Sequence, residues 1–153
     1  MSPRWKWNLV GHLWALPLTL IGLVLFKYVY RAHSWRWHQG VLCCIGGAKI
    51  GPTARGPQDG VTRIWGRPGA QTVGTTVCFA DEHQFSRADL RVHEFVHCAQ
   101  AMVGGVLFGI AYGLVFLYQW AASGFGPWHA AYRANVFEAH AYRIGDQAKG
   151  WGA

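Results

Sequence analysis

Charged side chains are scarce in this sequence, and acidic ones are the scarcest. Only 14% of the 153 residues are charged, and only seven are Asp or Glu. The chain also lacks a glycine-rich phosphate loop, a G-x-S-x-G nucleophile elbow, an internal repeat and any DNA or RNA recognition motif. These absences argue against a P-loop nucleotide-binding protein and an α/β-hydrolase, and no nucleic acid partner is expected.

Cysteine is present but does not form a disulfide framework. There are four cysteines in all. Cys43 and Cys44 are adjacent, Cys78 lies in a predicted strand, and Cys98 lies in a predicted helix. This distribution is typical of a protein with buried thiols.

Long runs without charge make up much of the chain, which is 52% hydrophobic and contains nine Trp. Residues 7–26, WNLVGHLWALPLTLIGLVLF, are long enough to cross a hydrocarbon core about 30 Å thick. Aromatic rings, which favour the headgroup level, flank this run on both sides. We therefore predict an N-terminal transmembrane helix, with residues 1–36 as a membrane anchor and 37–153 as a second domain. A buried core helix is the alternative, and His12 and Pro17 favour it.

The net positive charge also indicates association with a membrane. A net charge of +7 indicates a surface attracted to anionic lipid. Basic residues are more numerous after the apolar run, where Lys27, Arg31, Arg36 and Lys49 stand, than before it, where Arg4 and Lys6 stand. This asymmetry places the body of the protein on the cytoplasmic side.

Strand and turn signals follow the apolar run. GVLCCIGG (40–47), VTRIWG (61–66) and QTVGTTVCFAD (71–81) are short, rich in β-branched residues and separated by glycine and proline. They predict a small antiparallel sheet of about three strands. A helix is predicted over 87–102, and a last helix is predicted to begin at Pro127 and end at Gly145. The expected fold class is α+β.

The segment HEFVH (93–97) is the most informative motif. A chain with eight His and three Glu would contain H-E-x-x-H by chance only roughly 0.008 times. His93 and His97 lie four residues apart on one helix face and can direct their nitrogens to one point. Glu94 lies close enough to take a proton from water bound to a zinc ion. The motif predicts one Zn²⁺ ligated by His93 and His97, with Glu94 as general base, against the alternative of a solvated helix.

A catalytic zinc takes a third protein ligand, and the scarcity of acidic residues allows the candidates to be enumerated. They are Asp59, Asp81, Glu82, Asp89, Glu138 and Asp146, besides the remaining histidines. Glu138 is favoured because an unpaired carboxylate in its apolar setting, ANVFEAHAY, would be costly. Pairing of Glu138 with Arg133 or Arg143 is the alternative, and His129 or His140 is the next ligand option.

The two motifs together resemble a known class. HEFVH with a glutamate on a later helix resembles the gluzincin class of zinc metallopeptidases. HEFVHCAQ and YRANVFEAHAY more closely resemble small bacterial membrane-associated proteins that carry HExVHxxQ and YRxNxFExxAY motifs. The resemblance implies zinc on His93, His97 and Glu138, with Glu94 catalytic, in the bacterial inner membrane.

One position departs from the gluzincin pattern. Tyr142 stands where many gluzincins carry an aspartate that orients a histidine. Orientation then falls to Asn135, Asp146 or Gln100, whereas Tyr142, or else Arg133, is expected to stabilise the oxyanion.

The expected function is a membrane-associated zinc-dependent hydrolase, with a peptidase as the favoured class and a membrane-proximal peptide or protein as substrate. The alternative is a membrane-bound zinc protein that acts as a scaffold without turnover. QTVGTTVCF is expected to provide an edge strand that pairs with the substrate. Residues 101–120 are apolar enough to span, but a span would separate His93 from Glu138 by about 30 Å. We therefore predict an interfacial or re-entrant segment that bends at its glycines.

Overall fold

The computed structural model describes residues 9–46 and 69–149, which form an α+β fold. This part of the chain contains seven α-helices and one four-stranded sheet. The strand predicted at 61–66 and the candidate ligand Asp59 lie outside the described residues.

The N-terminal apolar run forms two short helices instead of one long one. Helix α1 spans Leu9–Trp14, and helix α2 spans Leu16–Val24 and continues as a π-helical turn over Leu25–Val29. Pro17 lies in the first turn of α2 and has no N–H to continue the hydrogen bonding of α1, so the helix breaks at this point. Among the described residues, no single helix is both long and apolar enough to cross a membrane. The predicted N-terminal transmembrane helix is therefore not supported.

The sheet is mixed, not antiparallel as predicted. Its strands are β1 (Ser34–His38), β2 (Val41–Ile45), β3 (Ala70–Val73) and β4 (Thr76–Phe79), in the order β1-β2-β4-β3. Strands β1 and β2 form a hairpin, strands β3 and β4 form a second hairpin, and β2 pairs with β4 in parallel. The segment predicted as one strand over 71–81 therefore contributes to two.

The turn residues explain both hairpins. Gln39 and Gly40 have φ values of 50° and 82°, which suits a two-residue hairpin turn. Gly74, with φ 63°, turns the second hairpin, and a Cβ at this position would lie 2.4 Å from the backbone nitrogen of Thr19 in α2. Thr75, in the same turn, contacts His12 Nδ1 at 3.1 Å and Thr19 Oγ1 at 3.0 Å. These contacts hold α1 and α2 against the β3–β4 turn.

The sheet has apolar packing on both faces. On one face, Val77 and Phe79 pack with Phe95 and Cys98 of helix α4, which spans Ala88–Gly104. On the other face, the fully buried Phe26 of the π-helical turn packs against Cys44 and Cys78. All four cysteines are free and buried, as predicted. Burial raises the pKa of the Cys43 thiol to about 12.

The remaining helices surround α4. They are α3 (Glu82–Ser86), α5 (Val106–Ala122), α6 (Trp128–Ala134) and α7 (Val136–Gln147). Helices α4 and α5 meet at an angle of 116° at Gly105, whose φ of 54° favours glycine. The helix predicted from Pro127 to Gly145 is broken at Asn135, whose side chain accepts a hydrogen bond from the Phe137 backbone and caps α7.

Candidate metal centre

Two helices in close contact supply the three side chains of the candidate site. His93 and His97 lie one turn apart on α4, and Glu138 lies in the first turn of α7. Gly145 allows this contact, because a Cβ at that position would lie 2.8 Å from the Asp89 carbonyl oxygen and 3.2 Å from His93 Cβ. Gly145 is thus a packing residue within α7. The prediction that the helix ends at Gly145 is wrong, because α7 continues to Gln147.

The three side chains form a compact triangle whose third corner is the Glu138 carboxylate group, with one oxygen near each imidazole. His93 Nε2 and His97 Nε2 are 3.2 Å apart. Glu138 Oε2 lies 3.3 Å from His93 Nε2, and Glu138 Oε1 lies 3.2 Å from His97 Nε2. Ligand atoms bound to a tetrahedral zinc at about 2 Å are separated by about 3.3 Å. The group is buried and could hold a metal ion.

The other candidate third ligands are engaged elsewhere. Asp81 caps α3, Glu82 pairs with Arg36, Asp89 pairs with Arg87, Asp146 pairs with Lys149, and His129 and His140 are exposed. Neither Arg133 nor Arg143 forms an ion pair with Glu138 within the described part of the chain. Of the candidate carboxylates in the described residues, Glu138 is the one that meets the histidine pair.

The electrostatics of the group favour a charged carboxylate. Burial opposes ionisation of Glu138, but the hydrogen bonds with His93 and His97 outweigh it and hold the pKa of the carboxyl well below its usual range. Burial also opposes protonation of His97, yet Glu138 raises the pKa of that imidazole. Tyr112 on α5 donates a 2.6 Å hydrogen bond to Glu138 Oε1, and burial beside the carboxylate raises the pKa of this phenol. Tyr112 is therefore a neutral donor to a negatively charged acceptor.

Gln100 orients His97. Its Nε2 donates to the Phe137 carbonyl oxygen at 3.2 Å, and its Oε1 lies 2.8 Å from His97 Nδ1. The amide oxygen accepts the Nδ1 proton, so the lone pair of Nε2 is directed to the other two ligand atoms. Of the three residues proposed to orient a histidine, Gln100 takes this position. Asn135 instead caps α7, and Asp146 pairs with Lys149.

Glu94 lies beside the group on the sheet side. Its side chain is buried, and its Oε2 accepts a 2.6 Å hydrogen bond from Thr72 Oγ1 of β3. Neither Thr72 nor Tyr112 was identified from the sequence. In the sequence, Thr72 could not be distinguished from any other threonine in a predicted strand. Tyr112 lies within an apolar run, and no neighbouring residue indicates its contact with Glu138.

Tyr142 and Arg133 stack next to His93. The Tyr142 ring lies 4.5 Å from the His93 ring, and the Arg133 guanidinium lies 4.9 Å from the Tyr142 ring. Burial, together with the nearby Glu138 carboxylate, raises the pKa of Tyr142, although Arg133 opposes the shift. Both residues that were candidates to stabilise an oxyanion are therefore adjacent to the candidate metal site.

The candidate ligands line one open cleft of about 1350 Å³, together with Glu94, Thr72, Tyr112, Tyr142 and Arg133. Towards the start of α4 the cleft is charged, with Arg87, Asp89, Asp146 and Lys149. Towards α2 and α5 it is apolar, with Leu18, Leu25, Val29, Phe108 and Phe116. The volume exceeds the roughly 300–1,000 Å³ of ordinary small-molecule pockets. It is large enough for a polymer segment.

A second, shallower groove of about 480 Å³ lies between α4, α5 and α7, and its lining is almost wholly apolar.

Comparison with known proteins finds no matching family model, no similar curated protein and no similar solved structure.

Proposed function

We propose that this protein is a zinc-dependent hydrolase of the peptidase class. The observation that carries the proposal is the buried triangle of His93, His97 and Glu138 with Glu94 beside it. Two imidazoles and a carboxylate are a donor set suited to zinc. A structural zinc site usually closes its fourth position with protein and needs no neighbouring base, whereas three ligands leave a position for water.

The roles of the residues follow from their contacts. A bound zinc ion supplies Lewis acidity, which lowers the pKa of water and polarises a carbonyl. Glu94, held by Thr72, accepts the proton of the attacking water and delivers it to the leaving amine. Tyr142, whose pKa is raised above its ordinary value, is a protonated phenol at neutral pH, and its ring lies 4.5 Å from the His93 ring, so we assign it as the donor to the oxyanion.

The sheet edge supports a peptide as substrate. Strand β3 is the end strand among those described, and its Gln71, Thr72 and Val73 line the cleft. The Ala80 N–H donates to the Gly69 carbonyl oxygen, so Gly69 is a hydrogen-bonded position of the β3–β4 pair. Hydrogen-bonded and non-hydrogen-bonded positions alternate along an antiparallel pair. The backbone N–H and C=O groups of Ala70 and Thr72 therefore point away from β4. An extended peptide can pair with these groups. Only the first part of QTVGTTVCF lies at this edge, since Val77 belongs to the interior strand β4.

Apolar surface supports attachment to lipid. Most of the exposed large hydrophobic side chains among the described residues lie in 9–29 and 103–118. These segments are adjacent, because Trp14 lies against Gly105 and Leu18 lies against Gly109. We call this surface of α1, α2 and α5 the apolar face. A large exposed apolar surface on a chain with a net charge of +7 suits an anionic membrane interface.

The proposed activity is tested with purified protein and two measurements. Zinc content by mass spectrometry should reach one ion per chain, and fluorescein-labelled casein should be hydrolysed. A chelator should abolish hydrolysis, and added zinc should restore it. Stoichiometric zinc without casein hydrolysis would instead favour the non-catalytic scaffold.

A further inference from the structure

The apolar end of the cleft is a separate arm with its own walls, which we call the apolar arm. One wall is formed by α2 and the π-helical turn, and the other by α5. Its apolar lining residues are Leu18, Leu25, Val29, Phe108 and Phe116. Both walls also belong to the apolar face, so the arm runs between the two helices that expose the most hydrophobic surface.

The arm begins directly beside the candidate metal site. Tyr112 touches Glu138 and lines the cleft, and Phe116 lies one helical turn further along α5. In the opposite direction, Asp89 lies about one turn before His93 and belongs to the charged end. The metal site is therefore at the junction of a charged end and an apolar arm.

Two glycines of α5 determine how wide the arm is. Gly109 and Gly113 are four residues apart and share the helix face that carries Tyr112 and Phe116. A Cβ at Gly109 would lie 3.5 Å from Leu18, whereas a Cβ at Gly113 would meet no atom within 4 Å. The helices are in contact at Gly109 and have separated at Gly113, which leaves open space at that position.

Strand β3 connects the two parts of the cleft. Thr72 binds Glu94, and the cleft lining continues through Val73 to Gly74, which packs on Thr19 of α2. A chain aligned with β3 would therefore pass from Glu94 towards α2 and the apolar arm. The outward backbone groups of β3 match a polypeptide, whereas an acyl chain offers them no partner.

We propose that the apolar arm binds an apolar stretch of the substrate polypeptide on one side of the scissile bond, and that Gly113 provides the room for it. This inference rests on the proposed peptidase function. It identifies the substrate class as proteins with an apolar segment next to the cleavage site, such as a segment leaving a membrane. The charged end then holds the polar side of the same chain.

Binding to zinc-loaded Glu94→Gln protein tests this, because that variant is designed not to consume the probe. The probes are two fluorescein-labelled 12-residue peptides with lysine at both ends. One has six central Leu, Val and Phe residues, and the other has Ser, Thr and Gln in their place. Fluorescence anisotropy at a fixed detergent concentration should give at least about tenfold tighter binding of the apolar peptide.

The decisive variants are Gly113→Leu and the matched control Ala121→Leu, both in the Glu94→Gln background. Ala121 is exposed on the same helix and does not line the cleft. Gly113→Leu should weaken binding of the apolar peptide at least about tenfold and leave the polar peptide unchanged, whereas Ala121→Leu should change neither. Leucine is a better helix former than glycine, and zinc content and Tm should be maintained in both variants.

Two outcomes would overturn the inference. Gly113→Leu could bind the apolar peptide as tightly as the parent protein does. Alternatively, labelled oleic acid could bind in a Gly113-dependent way while the apolar peptide does not, which would make the arm an acyl-chain site. Failure of the proposed hydrolysis is a separate result. If Gly113→Leu weakens binding of the apolar peptide but the wild-type protein cleaves no casein, the hydrolase proposal is rejected and the peptide-binding role of the apolar arm is retained.

Discussion

Tyr112 of α5 donates a 2.6 Å hydrogen bond to Glu138 of α7, so a helix outside the histidine motif holds the carboxylate in place. The partner of this bond is the Glu138 oxygen nearest His97. The bond joins the apolar run of the chain to the candidate metal site. It also allows the contribution of a residue beyond the ligands to be measured.

Tyr112→Phe should weaken zinc binding about tenfold without unfolding the protein. The phenylalanine retains the ring packing but no longer donates to the ligand carboxylate, and losses of this kind typically reduce metal affinity 10- to 100-fold. Competition with a chelating dye measures the affinity. Tyr118→Phe is the matched control, because Tyr118 is exposed on the same helix. Equal affinities in the two variants would mean that Tyr112 does not position Glu138.

His93→Ala, His97→Ala and Glu138→Ala should each weaken zinc binding by more than about 100-fold, since each removes one corner of the triangle. The exposed His129 supplies a control substitution to alanine that should leave zinc at one ion per chain. Unchanged zinc stoichiometry and affinity in any of the three ligand variants would reject that residue as a ligand.

Glu94→Gln should retain zinc and Tm but lose hydrolysis of labelled casein by about 100-fold or more, because an amide cannot accept the proton of the attacking water. Glu82→Gln, which changes an exposed carboxylate paired with Arg36, should retain full activity. If Glu94→Gln were as active as the wild type, Glu94 would have no place in the mechanism.

The four cysteines provide a test of the packing. The raised pKa of Cys43, about 12, means that this thiol is protonated at pH 8, and all four thiols are buried. Ellman's reagent should therefore label none of them in the folded protein and all four in guanidinium chloride. Rapid labelling of a thiol under native conditions would contradict the sheet packing described above.

Attachment to lipid should depend on the apolar face. Wild-type protein should float with vesicles that contain anionic lipid, and the double variant Leu107→Glu, Leu114→Glu should float much less, because both exposed side chains lie on that face. Val136→Glu, an exposed change on α7, should float as the wild type does. Equal flotation of the double variant would exclude α5 from the lipid contact.

Local patterns predicted the three residues of the buried group. The i, i+4 spacing in HEFVH was sufficient for His93 and His97, and the apolar surroundings of Glu138 distinguished it from the other carboxylates. Thr72 and Tyr112 were missed because their contacts join segments far apart in the chain, and no local periodicity reports such contacts.

Composition did not reveal where the N-terminal run breaks. An uncharged run of 20 residues is long enough for a membrane span whether it forms one helix or two, and Pro17 was the local sign of the break that the structure contains. Similarly, the β-branched residues over 71–81 predicted a strand but did not reveal the turn at Gly74. The parallel pairing of β2 with β4 depends on tertiary structure and was not predictable from either segment alone.

Gly145 has a consequence for the dimensions of the site. Close approach of α4 and α7 at this residue leaves no room for a Cβ beside His93. Any larger residue at position 145 would push the two helices apart and increase the separation between the imidazoles and the carboxylate. The dimensions of the site therefore depend on a residue that is not one of its ligands.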